Sequence, residues 1–165
     1  MKKAECSNCG ADAKVVRGSY RFAESGLRNV ILQGIELVRC EKCGNEDPII
    51  PHVNELMRLL ALAVIGKPYR LRGEDIRFLR KYLRMTGDEF SRLIHVDRTT
   101  LSKWETNDDR VGDQSDRLIR TVALGLGEGL KEKLEEVIRS FSQIRDSKRY
   151  VRIEMNPEKK SYQYA

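Results

Sequence analysis

The 165-residue chain carries 31 lysines and arginines against 25 aspartates and glutamates, a net charge of +6, and 40% of its residues are hydrophobic. A mean hydropathy of −0.54 suits a soluble chain of one or two small domains. No apolar run reaches the roughly 18 residues of a membrane span and the N-terminus has no hydrophobic secretion signal, so a cytoplasmic protein with no membrane partner is expected. The positive charge favours polyanions without naming one.

Cys6 and Cys9 stand in C-S-N-C-G, Cys40 and Cys43 in C-E-K-C-G, and these are all the cysteines. Two thiolates two residues apart can grip one ion from a tight turn, and Gly10 and Gly44 suit the backbone of such a knuckle. Four sulfurs complete a tetrahedron with no open position, which predicts one structural zinc ion as the cofactor. A rubredoxin-like iron site shares the paired knuckles but lacks a dense aromatic shell here; disulfides are disfavoured in a reducing cytosol. Between the knuckles, Lys14 to Phe22 and Asn29 to Arg39 are rich in Val, Ile, Leu and Tyr and flank the turn formers Glu24-Ser25-Gly26. They predict a small antiparallel sheet and, over residues 1–47, a zinc ribbon.

Asn45-Glu46-Asp47-Pro48 reads as a linker. Val53 to Ile65 reads as a helix apolar on most sides, to be buried in its own core or against a partner; residues 48–68 form this connecting unit. Gly73 to Met85 follows as a helix with Ile76, Leu79 and Leu83 in one stripe. Around it stand Arg70, Arg72, Arg77, Arg80, Lys81 and Arg84, a run that is either a solvated face or a source of two or three DNA phosphate contacts.

Met85 to Asn107 holds two short helical patterns with a tight break between them. Phe90, Leu93 and Ile94 give the first an apolar face, and Asp97 as N-cap opens the second, where Leu101 and Trp104 repeat at i and i+3. An advance of about 100° per residue puts Arg98, Thr99, Ser102, Lys103 and Thr106 on the opposite side. A helix with an anchored back and a front of cations and hydroxyls suits a DNA major groove. Thr86, Glu89, Phe90, Ser91, Val96, Leu101, Ser102, Trp104 and Glu105 give the stretch a pattern that resembles the Xre-type, phage-repressor-like helix-turn-helix. The chain departs from it at His95, where the family commonly has Gly, and at Gly87, where it often has a phosphate-contacting Gln. Residues 69–112 are expected to be this DNA-binding domain.

Gln114 to Leu124 predicts a further helix with Leu118, Ile119 and Val122 as its stripe. Gly125 to Gly129 follows a helix and lacks the Lys of a phosphate-binding loop, so it reads as a joint. Leu130, Leu134, Val137, Phe141 and Ile144 alternate steps of four and three, as in a short coiled-coil seam or an ordinary amphipathic helix. Residues 113–147 are thus C-terminal helices available for dimerisation. Tyr150 to Met155 and Ser161 to Tyr164 flank Asn156-Pro157-Glu158, so 148–165 is either a β-hairpin or a charged tail.

The fold class expected is α+β: a ribbon, then an all-α helix-turn-helix domain, C-terminal helices and a terminal hairpin. Met1 to about Val111 resembles the MqsA-type antitoxins and their relatives, the YgiT-type zinc-finger regulators, in its paired knuckles, its order of domains and Ser102-Lys103-Trp104-Glu105. That resemblance implies a dimer on an operator, with Thr99 and Lys103 at the base-contacting positions, and a zinc domain that binds a toxin protein. Two functions follow: a dimeric regulator, most simply a repressor, reading double-stranded DNA through Arg98, Thr99, Ser102 and Lys103 with backbone contacts from Arg77, Arg80, Lys81 and Arg84; or a toxin-neutralising antitoxin that autoregulates its operon. His52 and His95 lie far apart and no acid-base or nucleophile constellation stands out, so no enzyme is expected.

Overall fold

The computed structural model describes residues 3–147 and 150–165, without the side chains of Lys3, Lys131 and Leu134. The start of the expected 148–165 unit and the Leu134 side chain of the expected seam therefore lie outside the described residues.

β1 (Lys3–Glu5) pairs antiparallel with β2 (Asp12–Arg21), and β2 with β3 (Val30–Arg39). Val30 and Leu32, then Ile35 and Leu37, are buried. The step of three between the two pairs would flip the strand's faces, but Gly34 at φ 71° and a register shift between Gly18 and Tyr20 absorb it as a bulge. Between β2 and β3, Ala23–Ser25 makes a single 3-10 turn closed by Gly26 at φ 82°.

Two segments join this sheet that local sequence did not assign to it. Asn45 to Pro48 is no linker: Glu46–Ile49 is β4, antiparallel to one end of β3. At the other end of β3, β5 (Ile153–Asn156) pairs in parallel, Val30 opposite Ile153, and turns back as β6 (Ser161–Tyr164). The small sheet is therefore mixed and six-stranded rather than purely antiparallel. The C-terminal segment is a hairpin that completes it, with Asn29 Nδ2 donating to the Val151 carbonyl and the Ile153 amide donating to the Asn29 carbonyl across the join.

The helices are α1 (Val53–Ile65), α2 (Gly73–Tyr82), α3 (Gly87–Leu93), α4 (Arg98–Thr106), α5 (Asp113–Leu126) and α6 (Leu134–Ser140). α1 buries Leu56, Leu60, Ala61, Ala63, Val64 and Ile65 and leaves Val53 exposed, and Tyr164 of β6 donates to its Ala63 carbonyl at 2.7 Å. One continuous core runs from Leu32 and Leu37 of the sheet through α1 to Phe90, Leu101 and Ile119. On α5 the buried stripe is Asp116, Ile119, Arg120, Ala123 and Leu124, whereas Leu118 is exposed. Gly125 still lies within α5, and the chain turns at Gly127. Leu130, Val137 and Phe141 are buried in the core, and the helix around them is interrupted by 3-10 turns on both sides of α6. Among the described residues of this face, Leu130, Val137 and Phe141 pack inward, as in an ordinary amphipathic helix. Among the described residues, no helix is long and apolar enough to cross a membrane.

Candidate functional site

The two cysteine pairs form matching knuckles. Gly10 donates to the Cys6 carbonyl and Cys6 to that of Ala11, both at 2.9 Å; Gly44 donates to Cys40 and Cys40 to Asn45, both at 3.0 Å. Each turn needs a residue with positive φ, met by Gly10 at 67° and Gly44 at 74°. The β2–β3 hairpin and β4 bring the knuckles face to face, with Cys6 Sγ 3.6 Å from Cys43 Sγ and Cys9 Sγ 3.6 Å from Cys40 Sγ. All four sulfurs lie within 4.8 Å of one another. A tetrahedral ion with bonds of about 2.3 Å to thiolates holds its sulfurs about 3.8 Å apart, so the cluster has the size to hold one metal ion.

Its electrostatics agree. The backbone amide of Asn45 stabilises the Cys43 thiolate and lowers that thiol to about 6. At Cys9 the Ala11 amide acts in the same direction, but hydrogen bonding to Cys43, desolvation and the other sulfurs outweigh it and raise the thiol to about 12. Sulfurs this close share negative charge unequally, and a cation among them removes the conflict.

The second site is the α3–α4 pair. Thr86 caps α3: its hydroxyl accepts from the Glu89 amide at 3.2 Å, and Glu89 accepts from the Thr86 amide at 2.7 Å. Phe90 and Ile94 are buried, while Leu93 is 43% exposed and drops out of the expected stripe. His95 takes the left-handed turn at φ 58°. Asp97 precedes α4 with extended backbone, but its side chain makes no cap bond. Leu101, Trp104 and Glu105 form the buried back of α4; Thr99, Ser102 and Lys103 are exposed on the front, and Arg98 is exposed with its guanidinium turned back to Asp88 of α3. Thr106 is spent on the helix end, its hydroxyl donating to Asp108 at 2.5 Å and lying 3.0 Å from the Ser102 carbonyl. Exposed Asp108 and Asp109 follow α4, which concentrates the positive and hydroxylic groups towards its N-terminal half.

What holds α4 in place was not legible as such. Glu105 is 7% exposed and takes a bidentate pair from Arg80, Nε to Oε1 at 2.6 Å and Nη2 to Oε2 at 3.0 Å. Arg80 Nη1 also donates to the Met85 carbonyl at 3.0 Å. Arg80 is therefore a clamp between α2 and α4, with Nε, Nη1 and Nη2 each donating inward. Arg77 is half engaged, donating to the Glu105 carbonyl at 3.3 Å with its outer part exposed. Arg70 is held by Asp113 and Asp146, and Arg72 donates to the Ser147 carbonyl and lies over the Tyr150 ring at 3.9 Å. Lys81 and Arg84 stay exposed and line a groove of about 600 Å³ with Arg58 of α1 and the end of α5. At the far end of α4, Asn107, left-handed at φ 63°, accepts from the Gly73 amide at 2.8 Å. A Cβ at Gly73 would lie 2.6 Å from the Glu105 carbonyl oxygen, so α2 and α4 meet backbone to backbone. His52 and His95 are both exposed turn residues.

No family model, curated protein or solved structure matches the chain.

Proposed function

We propose that this protein is a sequence-specific DNA-binding transcription regulator, working as a homodimer in the cytoplasm, with α3 and α4 as its helix-turn-helix and one structural zinc ion in a ribbon built on the Cys6, Cys9, Cys40 and Cys43 cluster. The observation that carries the reading is the two-sidedness of α4. Its back is fixed by Leu101, Trp104 and the Arg80–Glu105 pair, and its front presents Thr99, Ser102 and Lys103 to solvent. A rigid helix with free polar side chains near its N-terminal end can lie in the major groove and read base edges. Lys81, Arg84 and the outer part of Arg77 supply cations for the phosphate backbone. Zinc would be held by the four thiolates with no position left for a substrate, so its work is to fix the knuckles, and no catalytic role is assigned.

The test is a duplex recovered by the protein from a random-sequence pool, titrated at fixed salt beside a scrambled duplex. Lys103→Ala should lower affinity for the recovered duplex by about 5- to 150-fold, from 1 to 3 kcal/mol of direct readout, and leave the scrambled one nearly unchanged. Sedimentation on DNA should give two chains per site. A folded Lys103→Ala variant with unaltered preference would remove α4 from the groove.

A second reading, an antitoxin, is favoured by a groove of about 440 Å³ between α1 and the terminal hairpin, lined by Pro51, Leu56, Leu59, Leu62 and Pro157. A small toxin protein that co-purifies and is released by Leu59→Glu would support it.

A further inference from the structure

At the start of α4, Arg98 does not extend along the helix front as Thr99, Ser102 and Lys103 do. It folds back across α3. Its Nε lies 3.4 Å from Asp88 Oδ1, and its guanidinium lies flat on Gly87, so close that a Cβ at residue 87 would sit 2.5 Å from Cζ and 2.7 Å from Nη2. The seat exists because residue 87 has no side chain. Gly87 is the first residue of α3 and follows the Thr86 cap, and a helix's first turn gains little from glycine as such. The residue makes room for a cation from the neighbouring helix.

We propose that Arg98 grips the DNA backbone and does not read a base, and that Gly87 is the residue that aims it. This deepens the DNA-binding reading above and rests on it. Asp88 occupies the Nε side, which leaves the outer guanidinium edge, on a side chain still 49% exposed, to meet a phosphate where the starts of α3 and α4 come together. A planar fork of donors suits a phosphate, and held there it cannot also reach the groove floor in front of Lys103. The sequence-reading surface of α4 then reduces to Thr99, Ser102 and Lys103, with Arg98 setting the register in which they meet the bases.

The experiment titrates wild type, Arg98→Ala, Gly87→Ala and the double variant against the recovered and the scrambled duplex over a salt series, with circular dichroism to verify folding. Arg98→Ala should weaken both duplexes by the same factor, about tenfold, and reduce the salt slope by about 0.9 per arginine. Gly87→Ala meets only the mobile end of Arg98, so it should fold. It should reproduce the Arg98→Ala loss and add nothing in the double variant. If Arg98→Ala lowers only the preference for the recovered duplex, Arg98 reads a base and the proposal fails while the DNA-binding reading stands. If Gly87→Ala binds like wild type, the seat does not aim the arginine and the proposal also fails. Wild type that binds neither duplex overturns both.

Discussion

Arg80 is the position at which a surface reading and a structural reading of the same residue part most sharply, and Arg80→Ala separates them. The pair is largely dry, with the Arg80 side chain 13% and the Glu105 side chain 6% exposed. The hydrogen bond to Glu105 holds the Arg80 guanidinium above its ordinary pKa. Removal of Arg80 leaves the buried Glu105 carboxylate with only the half-exposed Arg77, whose Nε lies 3.5 Å from Oε2, at a cost of up to about 3 to 5 kcal/mol. Arg80→Ala also strips the Met85 carbonyl of a donor. In a chain of this length each kcal/mol moves the melting temperature by about 2 to 4 °C, so the midpoint should fall by roughly 6 to 20 °C. Glu105→Ala should cost a similar amount, and Arg80→Met with Glu105→Met should recover much of it, because two apolar groups leave no orphaned charge. Calorimetry on the three variants is the assay, with a salt series on duplex DNA beside it. A stable Arg80→Ala protein, within about 2 °C of wild type, whose salt slope on DNA is shallower, would refute the clamp and return Arg80 to the phosphate backbone.

The cluster should bind one zinc per chain by elemental analysis; Cys43→Ser should abolish it and unfold the knuckles, since such sites contribute about 10 to 16 kcal/mol to small folds, and iron with a rubredoxin-like spectrum would contradict the assignment. Gly73→Ala should destabilise far more than the few tenths expected of an open helix start, because its Cβ meets the backbone carbonyls of Trp104 and Glu105; an unchanged melting temperature would mean that α2 and α4 can separate freely. Bonds from the Thr86 backbone and hydroxyl hold the Glu89 carboxyl below its ordinary pKa. A lowered folded-state pKa adds stability above the unfolded value of about 4.3 and loses it as the pH falls through the folded one. Between about pH 5 and 3 the melting temperature of wild type should therefore drop more steeply than that of Glu89→Ala, and parallel curves would dissociate Glu89 from the cap.

Local pattern carried a good part of this fold. The span of α1, the two long strands, the cysteine knuckles and the buried Leu101 and Trp104 of α4 follow from period, turn chemistry and spacing, all of which act within a few residues. Glu46-Asp47-Pro48 has the composition of a turn, and only its place beside Glu36 to Arg39 makes it the strand β4. The parallel pairing of Val30 with Ile153 joins segments more than a hundred residues apart, and nothing in either segment specifies the other. At the site, a row of cations on α2 looks the same whether it faces water, phosphate or a buried acid. The signal that could have found the clamp was Glu105, which stands one turn after Leu101 on the buried stripe. An acid at that position had to meet a cation from the next helix.

The sheet and the helices share one core because the loop between α1 and α2 is stitched from inside. Gly66 to Arg72 is not helical and makes only an isolated bridge, Tyr69 to Arg145, so its remaining carbonyls need other partners. Arg120, with no exposed surface, supplies them: Nη1 donates to Ile65 and Lys67 at 2.5 and 2.8 Å and Nη2 to Tyr69 at 2.6 Å, while Nε is held by Asp116 at 2.8 Å. Asp116 also accepts from the Leu71 amide at 2.7 Å. Lys67, 4% exposed, pairs with Asp75, whose carboxylate takes the Arg72 amide at the start of α2. Charges this deep stabilise little by themselves, but the bonds that Arg120, Asp116 and Asp75 make are geometrically demanding and hold the angle at which α2 leaves α1. From α2 the same order passes through Gly73, Arg80 and Glu105 to α4. The orientation of the exposed front of α4 relative to the sheet that carries the cysteine cluster is thus fixed by buried polar groups together with the shared apolar core.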